Sequence, residues 1–174
     1  MDVMNHRDDV DISRVPTIDL LARTIERQAH SPGDHGTALP ALSLHRRDAP
    51  TEPVPCIYPL SLAVTTQGAK QVLLGDKVLH NSPGESMLTT IDLPMVSHVT
   101  RATRREPYLG LLLRLDARSI ALAVSEMKWS RSDEYTAPAP ISIERLDPAL
   151  LDALRRLIEV LDHPLLLPHL NRSI

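Results

Sequence analysis

The sequence predicts an α+β fold, in which an antiparallel β-barrel or sandwich is flanked by an N-terminal helix and a C-terminal helical segment. Apolar residues recur at helical spacing near the start of the chain, alternate with a period of two through its middle, and return to helical spacing towards its end. Short apolar segments separated by turns are typical of antiparallel sheets. A chain of 174 residues is expected to form one domain.

The composition limits both the core and the classes of function. Hydrophobic residues make up 43% of the chain but aromatic residues only 2%, and Phe is absent, so the core must be aliphatic. Proteins that bind single-stranded nucleic acid stack bases on aromatic side chains, and this supply is missing. With a net charge of −3, the chain also lacks the excess of basic residues that is typical of a DNA-binding domain. The densest basic cluster, Arg101 with Arg104 and Arg105, is interpreted as a solvated loop.

Cysteine usage and the distribution of apolar residues predict a soluble, cytoplasmic protein that does not enter a membrane. Cys56 is the only cysteine, so no disulfide can form within the chain, which favours a reducing compartment. The charged N-terminus lacks the apolar stretch of a signal peptide. The apolar run at 109–113 is far too short to span a bilayer.

The first helix is expected after a flexible N-terminus at 1–16, and it opens a unit that extends over 17–115 and includes the barrel. Thr17 or Asp19 can serve the N-terminus of this helix, and the breaker-rich segment at 31–36 ends it. Its apolar residues share one face: Ile18, Leu21, Ala22 and Ile25.

The middle of the chain is expected to form the strands. In IYPLSLAVTT, alternate residues from Tyr58 to Val64 predict one strand with two different faces. KQVLLGDKVLH predicts a hairpin around Gly75-Asp76, and NSPGE a second turn. Further strands are predicted for SMLTTI, for MVSHVTRAT and for YLGLLLRL, in which alternate leucines from Leu109 to Leu115 lie on one face.

The segment 116–174 is predicted to be helical and to mediate dimerisation. Asp116 can cap a helix in which Ile120, Val124 and Met127 share a face. After a polar loop, Asp147 caps the clearest helix, with Pro148 in its first turn. The apolar stripe on this helix is broad enough either to pack against the barrel or to pair with the same helix of a second subunit, and both interpretations remain open.

The stretch VLHNSPGESMLTTIDLP raises the question of a metal site. Metal-binding cupin barrels carry a glycine, a closely spaced histidine pair, a glutamate and a later histidine, whose side chains converge on one ion. Here His80 is followed by Ser82 where the second histidine would stand, which leaves Glu85 and His98. No metal or other cofactor and no enzymatic activity are therefore predicted. The alternative is a small metal-dependent cupin enzyme, which would require His80, Glu85 and His98 to converge.

The same region resembles the N-terminal domain of a branch of AraC-type transcriptional regulators, over about residues 20–165. The shared landmarks occur in a fixed order: Tyr58-Pro59-Leu60, Gln67-Gly68 with Lys70, Gly75, Pro83-Gly84, Asp92-Leu93-Pro94, and Pro107-Tyr108-Leu109 leading into Asp116. The resemblance implies a cupin-like barrel followed by a helical dimerisation segment, hence a homodimer that senses a small-molecule effector. In such regulators a separate C-terminal pair of helix-turn-helix units binds DNA. No basic recognition helix precedes Ile174, so the chain is expected to be a piece of a longer regulator, the alternative being a stand-alone sensor.

The barrel interior is the expected effector site. Candidate ligand-binding residues have polar or adaptable side chains on otherwise apolar strands: Tyr58, His80, Met87, Thr89, Met95, His98 and Tyr108. The scarcity of aromatics and the lack of a charge cluster predict a small, weakly polar ligand. Cys56 is a candidate thiol sensor that could trap an electrophile, the alternative being a small buried hydrophobic residue.

Overall fold

The computed structural model describes residues 17–126 and 139–161. Two β-sheets pack face to face, and two helices cover the outer face of the larger sheet. The elements follow in this order: α1 (Thr17–Gln28), β1 (Gly33–Gly36), β2 (Leu42–Arg47), β3 (Val54–Tyr58), β4 (Ser61–Gln67), β5 (Ala69–Leu74), β6 (Lys77–Asn81), β7 (Glu85–Thr89), β8 (Leu93–Arg101), β9 (Tyr108–Arg114), α2 (Ala117–Glu126), β10 (Ile141–Arg145) and α3 (Pro148–Leu161).

Both sheets are antiparallel. The six-stranded sheet has the order β1-β2-β9-β4-β7-β10, and the four-stranded sheet the order β3-β8-β5-β6. The predicted α+β class is therefore confirmed. Of the barrel and the sandwich, the described residues form the sandwich, because each sheet keeps its own pair of edge strands and does not close.

The largest cluster of buried hydrophobic residues lies between the helices and the six-stranded sheet. The stripe predicted for α1 is confirmed, since Leu21 and Ile25 are fully buried. They pack with Leu154 and Ile158 of α3 and with the outward-facing leucines and valine of β2, β4 and β9. At 25 to 30 cal/mol per Å² of apolar surface, each fully buried leucine or isoleucine contributes roughly 1.5–3 kcal/mol. This core fixes the large sheet, and with it one wall of the space between the sheets.

A smaller core fills part of the space between the sheets. It contains Tyr58, Val72, Met87 and Met95, which come from both sheets. Because alternate side chains of a strand point to opposite faces, β4 sends Leu62 to the helices and Ala63 towards this second core.

Two details of the strand predictions were wrong. IYPLSLAVTT is not one strand: β3 ends at Tyr58 and β4 begins at Ser61, because Pro59 has no N–H group to continue a ladder. As a result Tyr58 faces the smaller core while Val64 faces the helices. The segment after α1 is also more than a turn, since Gly33–Gly36 form β1, which pairs with β2.

The helix caps predicted at Asp116 and Asp147 are present in the structure. The Asp116 carboxylate accepts a hydrogen bond from the backbone N–H of Ser119 at 2.8 Å. The Asp147 carboxylate accepts bonds from the N–H groups of Ala149 and Leu150 at 2.8 and 3.2 Å. The segment 116–174 also contributes β10, which pairs with β7. Residues 1–16, Met127 and most of the predicted loop at 130–140 lie outside the described residues. In the part of the chain that the structure describes, no helix has the length and apolarity needed to cross a membrane.

Candidate functional site

A cavity of about 450 Å³ lies between the two sheets, beside the smaller core. Its walls combine apolar side chains with many polar and charged groups, a mixture that can both bury and orient a small molecule. The polar and ionisable residues among those that line it are Asp34, His45, Arg47, Thr51, Cys56, Tyr58, Lys70, Asn81, Ser97, His98 and Tyr108.

Lys70 carries a charge in this cavity. Its ammonium group donates a hydrogen bond to the hydroxyl of Tyr58, and Nζ lies 5.0 Å from the centre of the Tyr58 ring. Burial lowers the pKa of Lys70, but Coulombic interactions with Tyr108 and Tyr58 and the hydrogen bond with Tyr58 together outweigh burial and raise that pKa overall. Lys70 therefore stays protonated at neutral pH. Among the described residues no carboxylate lies within ion-pair distance of it.

Asn81 lies directly opposite Lys70 in the β5–β6 pair, so both side chains point into the space between the sheets. The Asn81 side chain is only 2% exposed, and its Oδ1 atom has no hydrogen-bond partner among the described residues. Cys56, on β3, lines the same cavity and is half-buried. Its Sγ lies 3.6 Å from the carbonyl oxygen of Met95 and 3.7 Å from Oγ of Ser97.

A second charged group lies where β1 and β2 border the cavity. Register places Asp34 opposite His45, and Asp34 Oδ1 lies 2.7 Å from His45 Nδ1 and accepts a hydrogen bond of 2.7 Å from Arg47. The hydrogen bond from His45 holds the pKa of Asp34 well below its usual range, with partial burial opposing it and Arg47 adding to it. His45 Nε2 in turn lies 2.9 Å from Oγ of Ser43. These side chains satisfy one another, in contrast to Lys70.

Comparison with known proteins identifies the family. Residues 38–174 match the model of the AraC-type transcriptional regulator N-terminus. The chain belongs to this family. The match covers both sheets from β2 onwards together with α2 and α3. The family resemblance predicted from the sequence landmarks is therefore confirmed.

One solved structure supports the fold of this AraC-type domain, and a second is more distant. Apo ToxT K231A from Vibrio cholerae strain SCE256 superposes with a TM-score of 0.50 at 5% sequence identity, covering 79% of this chain and 52% of ToxT. The chain thus spans about half the length of that regulator. A structural-genomics protein of unknown function from Rhizobium leguminosarum bv. viciae 3841 matches with a TM-score of 0.33 at 16% identity, covering 56% of this chain and 93% of its own. No curated protein sequence matches the chain significantly.

The structure brings five of the sequence candidates to the cavity of the AraC-type domain. Tyr58, Met87, His98, Tyr108 and Cys56 all line it. Tyr108 lies along β9 with its hydroxyl over Gly110, where an added Cβ would come within 2.7 Å of that oxygen. A glycine at that position therefore leaves room for the Tyr108 ring against its own strand.

The other candidates lie elsewhere. Met95 and Thr89 are buried between the sheets but do not line the cavity. His80 is exposed, because it pairs with Gln71 on the outer face of the four-stranded sheet. His98 also pairs with Gln71, but it lines the cavity, and its Nδ1 atom is buried with no hydrogen-bond partner among the described residues.

The three residues required by a metal site do not meet around one ion. His80 is exposed on the outer face, while Oε2 of Glu85 accepts a hydrogen bond of 2.7 Å from the backbone N–H of Ser82 and so closes the turn before β7. Within residues 17–126 and 139–161, no group of three or more His, Cys, Asp or Glu side chains is placed to hold a metal ion.

Sequence reasoning missed the most informative residues of the site. Lys70 entered only as a landmark of the family resemblance, although it alternates inward with Val72 on an apolar strand, which is the signal that marks a buried charge. Asp34 and His45 were missed because β1 and β2 were not predicted. The expectation that the site lacks a charge cluster was wrong, since both charged groups border one cavity.

The Asp34 group is expected to make stability depend on acid pH. Because the pKa of Asp34 is lower in the folded chain than its ordinary value of 3.8, its contribution is fully present above that value and is lost as the pH falls below it. The carboxylate is 61% exposed, so solvent screening limits the contribution to about 0.5–1 kcal/mol. Asp34→Asn is expected to lower the free energy of unfolding by that amount at about pH 7 and by clearly less at about pH 2, measured by urea denaturation. Asp76→Asn, in an exposed turn, is the control. An equal loss at both pH values would contradict the charge-based account.

Proposed function

We propose that this chain is the small-molecule-sensing and dimerisation domain of an AraC-type transcriptional regulator, and that it controls an attached DNA-binding domain. The observation that carries the proposal is a cavity between the sheets, in a chain that belongs to this family, lined by Lys70 with no ion-pair partner among the described residues. A cytoplasmic location and DNA contact through a C-terminal domain outside this chain are parts of the same proposal.

The position of the cavity supports coupling between an effector and the regulator. Cavity residues come from both sheets, so a ligand that contacts them favours one spacing of the sheets over another. A ligand shifts a conformational equilibrium only by its difference in affinity for the two states. Lys70 and Tyr58 line the cavity from the smaller sheet and Met87 and Tyr108 from the larger one, so a ligand that contacts both walls is sensitive to such a spacing.

The surface of α2 supports a homodimer. No residue of α2 is buried, and its apolar side chains are exposed by 41% at Ile120, 66% at Leu122 and 45% at Val124. A helix with apolar residues on more than one face is typical of an element that another chain covers. The stripe on α3 supports the packing interpretation in part, because Leu154 and Ile158 are buried within the same chain.

Native mass spectrometry of the purified chain tests oligomeric state and bound ligand together. We expect a dimer that carries a small organic molecule. Val124→Lys is expected to weaken dimerisation by at least about tenfold, because it places a charge in an apolar interface. Val78→Lys, at a residue exposed to a similar extent on β6, is the matched control.

Two results would contradict the proposal. If Val124→Lys and Val78→Lys dimerise equally well, α2 is not the interface. If the molecule carried by the chain leaves the affinity of the full-length regulator for its operator DNA unchanged, the domain is not the sensor.

A sensing role for the Cys56 thiol stays a prediction. Its place in the cavity means that a bound effector would shield it. Alkylation by iodoacetamide, followed by mass spectrometry with and without the effector, tests this, and equal rates would count against it.

A further inference from the structure

We propose that the cavity binds a small organic acid that carries a hydroxyl group close to its carboxylate, with Lys70 as the charge partner and Asn81 as the hydrogen-bond partner of the hydroxyl. The inference rests on the proposed sensor function and names the chemical class of the effector. Tyr58 holds the ammonium group of Lys70 in place by accepting its hydrogen bond.

The expected charge of the ligand follows from the balance of charged side chains that line the cavity. Asp34 is shared by His45 and Arg47, and Arg47 also donates hydrogen bonds to two backbone carbonyl groups. Lys70 is then left with one positive charge and no carboxylate among the described residues. A charge removed from water is costly unless it is paired. One carboxylate neutralises Lys70, whereas a dianion such as a phosphate monoester would leave negative charge uncompensated in a largely apolar cavity.

The second polar group of the ligand follows from Asn81. This side chain is 2% exposed, lines the cavity and lies opposite Lys70 in the strand pair, so the two Cβ atoms are about 5 Å apart. Buried amide oxygens are normally paired, and Oδ1 of Asn81 has no partner among the described residues. A carboxylate cannot donate a hydrogen bond to it, but a hydroxyl can. Since a hydroxyl both donates and accepts, it fits either orientation of the amide.

The remaining walls favour an aliphatic body. Ala63, Met87, Val99 and Leu112 line the cavity around the polar groups. A volume of about 450 Å³ lies within the range of small-molecule pockets. The best ligand is therefore expected to be a hydroxy acid with a short alkyl chain.

Isothermal titration calorimetry with the 2-hydroxy acids from lactate to 2-hydroxyoctanoate tests the inference on the unmodified chain. For the tightest binder, two matched analogues are titrated: the fatty acid that lacks the hydroxyl, and the amide that lacks the charge. We expect both analogues to bind at least about tenfold more weakly, because each leaves one buried partner unsatisfied. Equal affinity of the amide, or no binding by any hydroxy acid, overturns the inference.

Three variants assign the contacts. Lys70→Met keeps the aliphatic bulk and is expected to weaken hydroxy acid binding by at least about tenfold, while Lys77→Met, at an exposed lysine of β6, leaves binding unchanged. Asn81→Leu is expected to bind the hydroxy acid and the plain fatty acid equally well. Unchanged binding by Lys70→Met, or retained preference for the hydroxyl in Asn81→Leu, overturns the assignment. Circular dichroism melting of each variant verifies that it is folded.

Failure of this inference is distinguishable from failure of the sensor function. If a neutral compound binds in the cavity and changes the operator affinity of the full-length regulator while no hydroxy acid binds, the effector class is wrong and the sensor function stands. If a hydroxy acid binds with the expected dependence on Lys70 but operator affinity does not change, the site is confirmed and the sensor function is wrong.

Discussion

Gly68→Ala is expected to lower the free energy of unfolding by at least about 3 kcal/mol. Gly68 connects β4 of the large sheet to β5 of the small sheet, at a φ of 78° that residues with a Cβ rarely adopt. A Cβ at this position would lie 2.5 Å from the carbonyl oxygen of Arg101 and 2.9 Å from the Cα of Tyr108. Both are backbone atoms, so they cannot move aside without shifting β8 and β9 against each other.

Urea denaturation of the two alanine variants at Gly68 and Gly75 separates the causes of this loss. Gly75 also has a positive φ, 55°, but an added Cβ there meets nothing within 4 Å. Gly75→Ala is therefore expected to cost only about 1 kcal/mol, the penalty of the backbone conformation alone. The difference between the two losses in free energy of unfolding measures the cost of the steric clash at Gly68, where the two sheets approach closely. Equal losses would mean that the sheets do not meet tightly at this corner.

Ile158→Ala is expected to lower the free energy of unfolding by about 2–5 kcal/mol. The Ile158 side chain is fully buried among residues of α1 and the six-stranded sheet, where truncation leaves a cavity. Its backbone carbonyl accepts a hydrogen bond of 3.4 Å from the side chain of Gln28, which ties α3 to α1. The loss follows from packing, so it is expected at every protein concentration.

Leu150→Ala is the matched control on the same helix. Leu150 is 37% exposed, so its truncation is expected to cost less than about 1 kcal/mol in the isolated chain. If unfolding of both variants depends on protein concentration, α3 is stabilised by a second subunit. If neither variant loses stability, α3 is not docked on α1. Chemical denaturation at two protein concentrations decides between these results.

Local signals in the sequence were enough to predict the helices, the turns and the main strands. The stripe on α1 and the caps at Asp116 and Asp147 depend only on residues within a turn of each other. The hairpin at Gly75 likewise depends on adjacent residues, one of which adopts a positive φ. Strands β1, β2 and β10 carry no such signal, because they are short and their polar residues pair only with distant partners.

Strand β6 shows why the site residues were harder to predict, because the sequence does not fix which of its alternate side chains point inward. Val78 and Leu79 are both apolar, so the sequence does not say which of the two faces points inward. Pairing with β5 turns Leu79 and Asn81 inward, and this places His80 on the outer face. The prediction for this strand was therefore off by one residue: it placed His80 in the cavity, whereas the next residue, Asn81, lines it.

The sequence by itself determined the kinds of secondary structure, the aliphatic core and the landmarks of an AraC-type N-terminal domain, because these are properties of neighbouring residues and of their order. Only the tertiary structure decided that the sandwich stays open, and that Lys70 meets Tyr58, Asn81 and Cys56 around one cavity. These side chains come from β3, β5 and β6 of the smaller sheet, so their meeting depends on strand order and register, and the larger sheet supplies the opposite wall of the cavity. Such long-range pairings are settled by burial of the whole core, which no short stretch of sequence encodes.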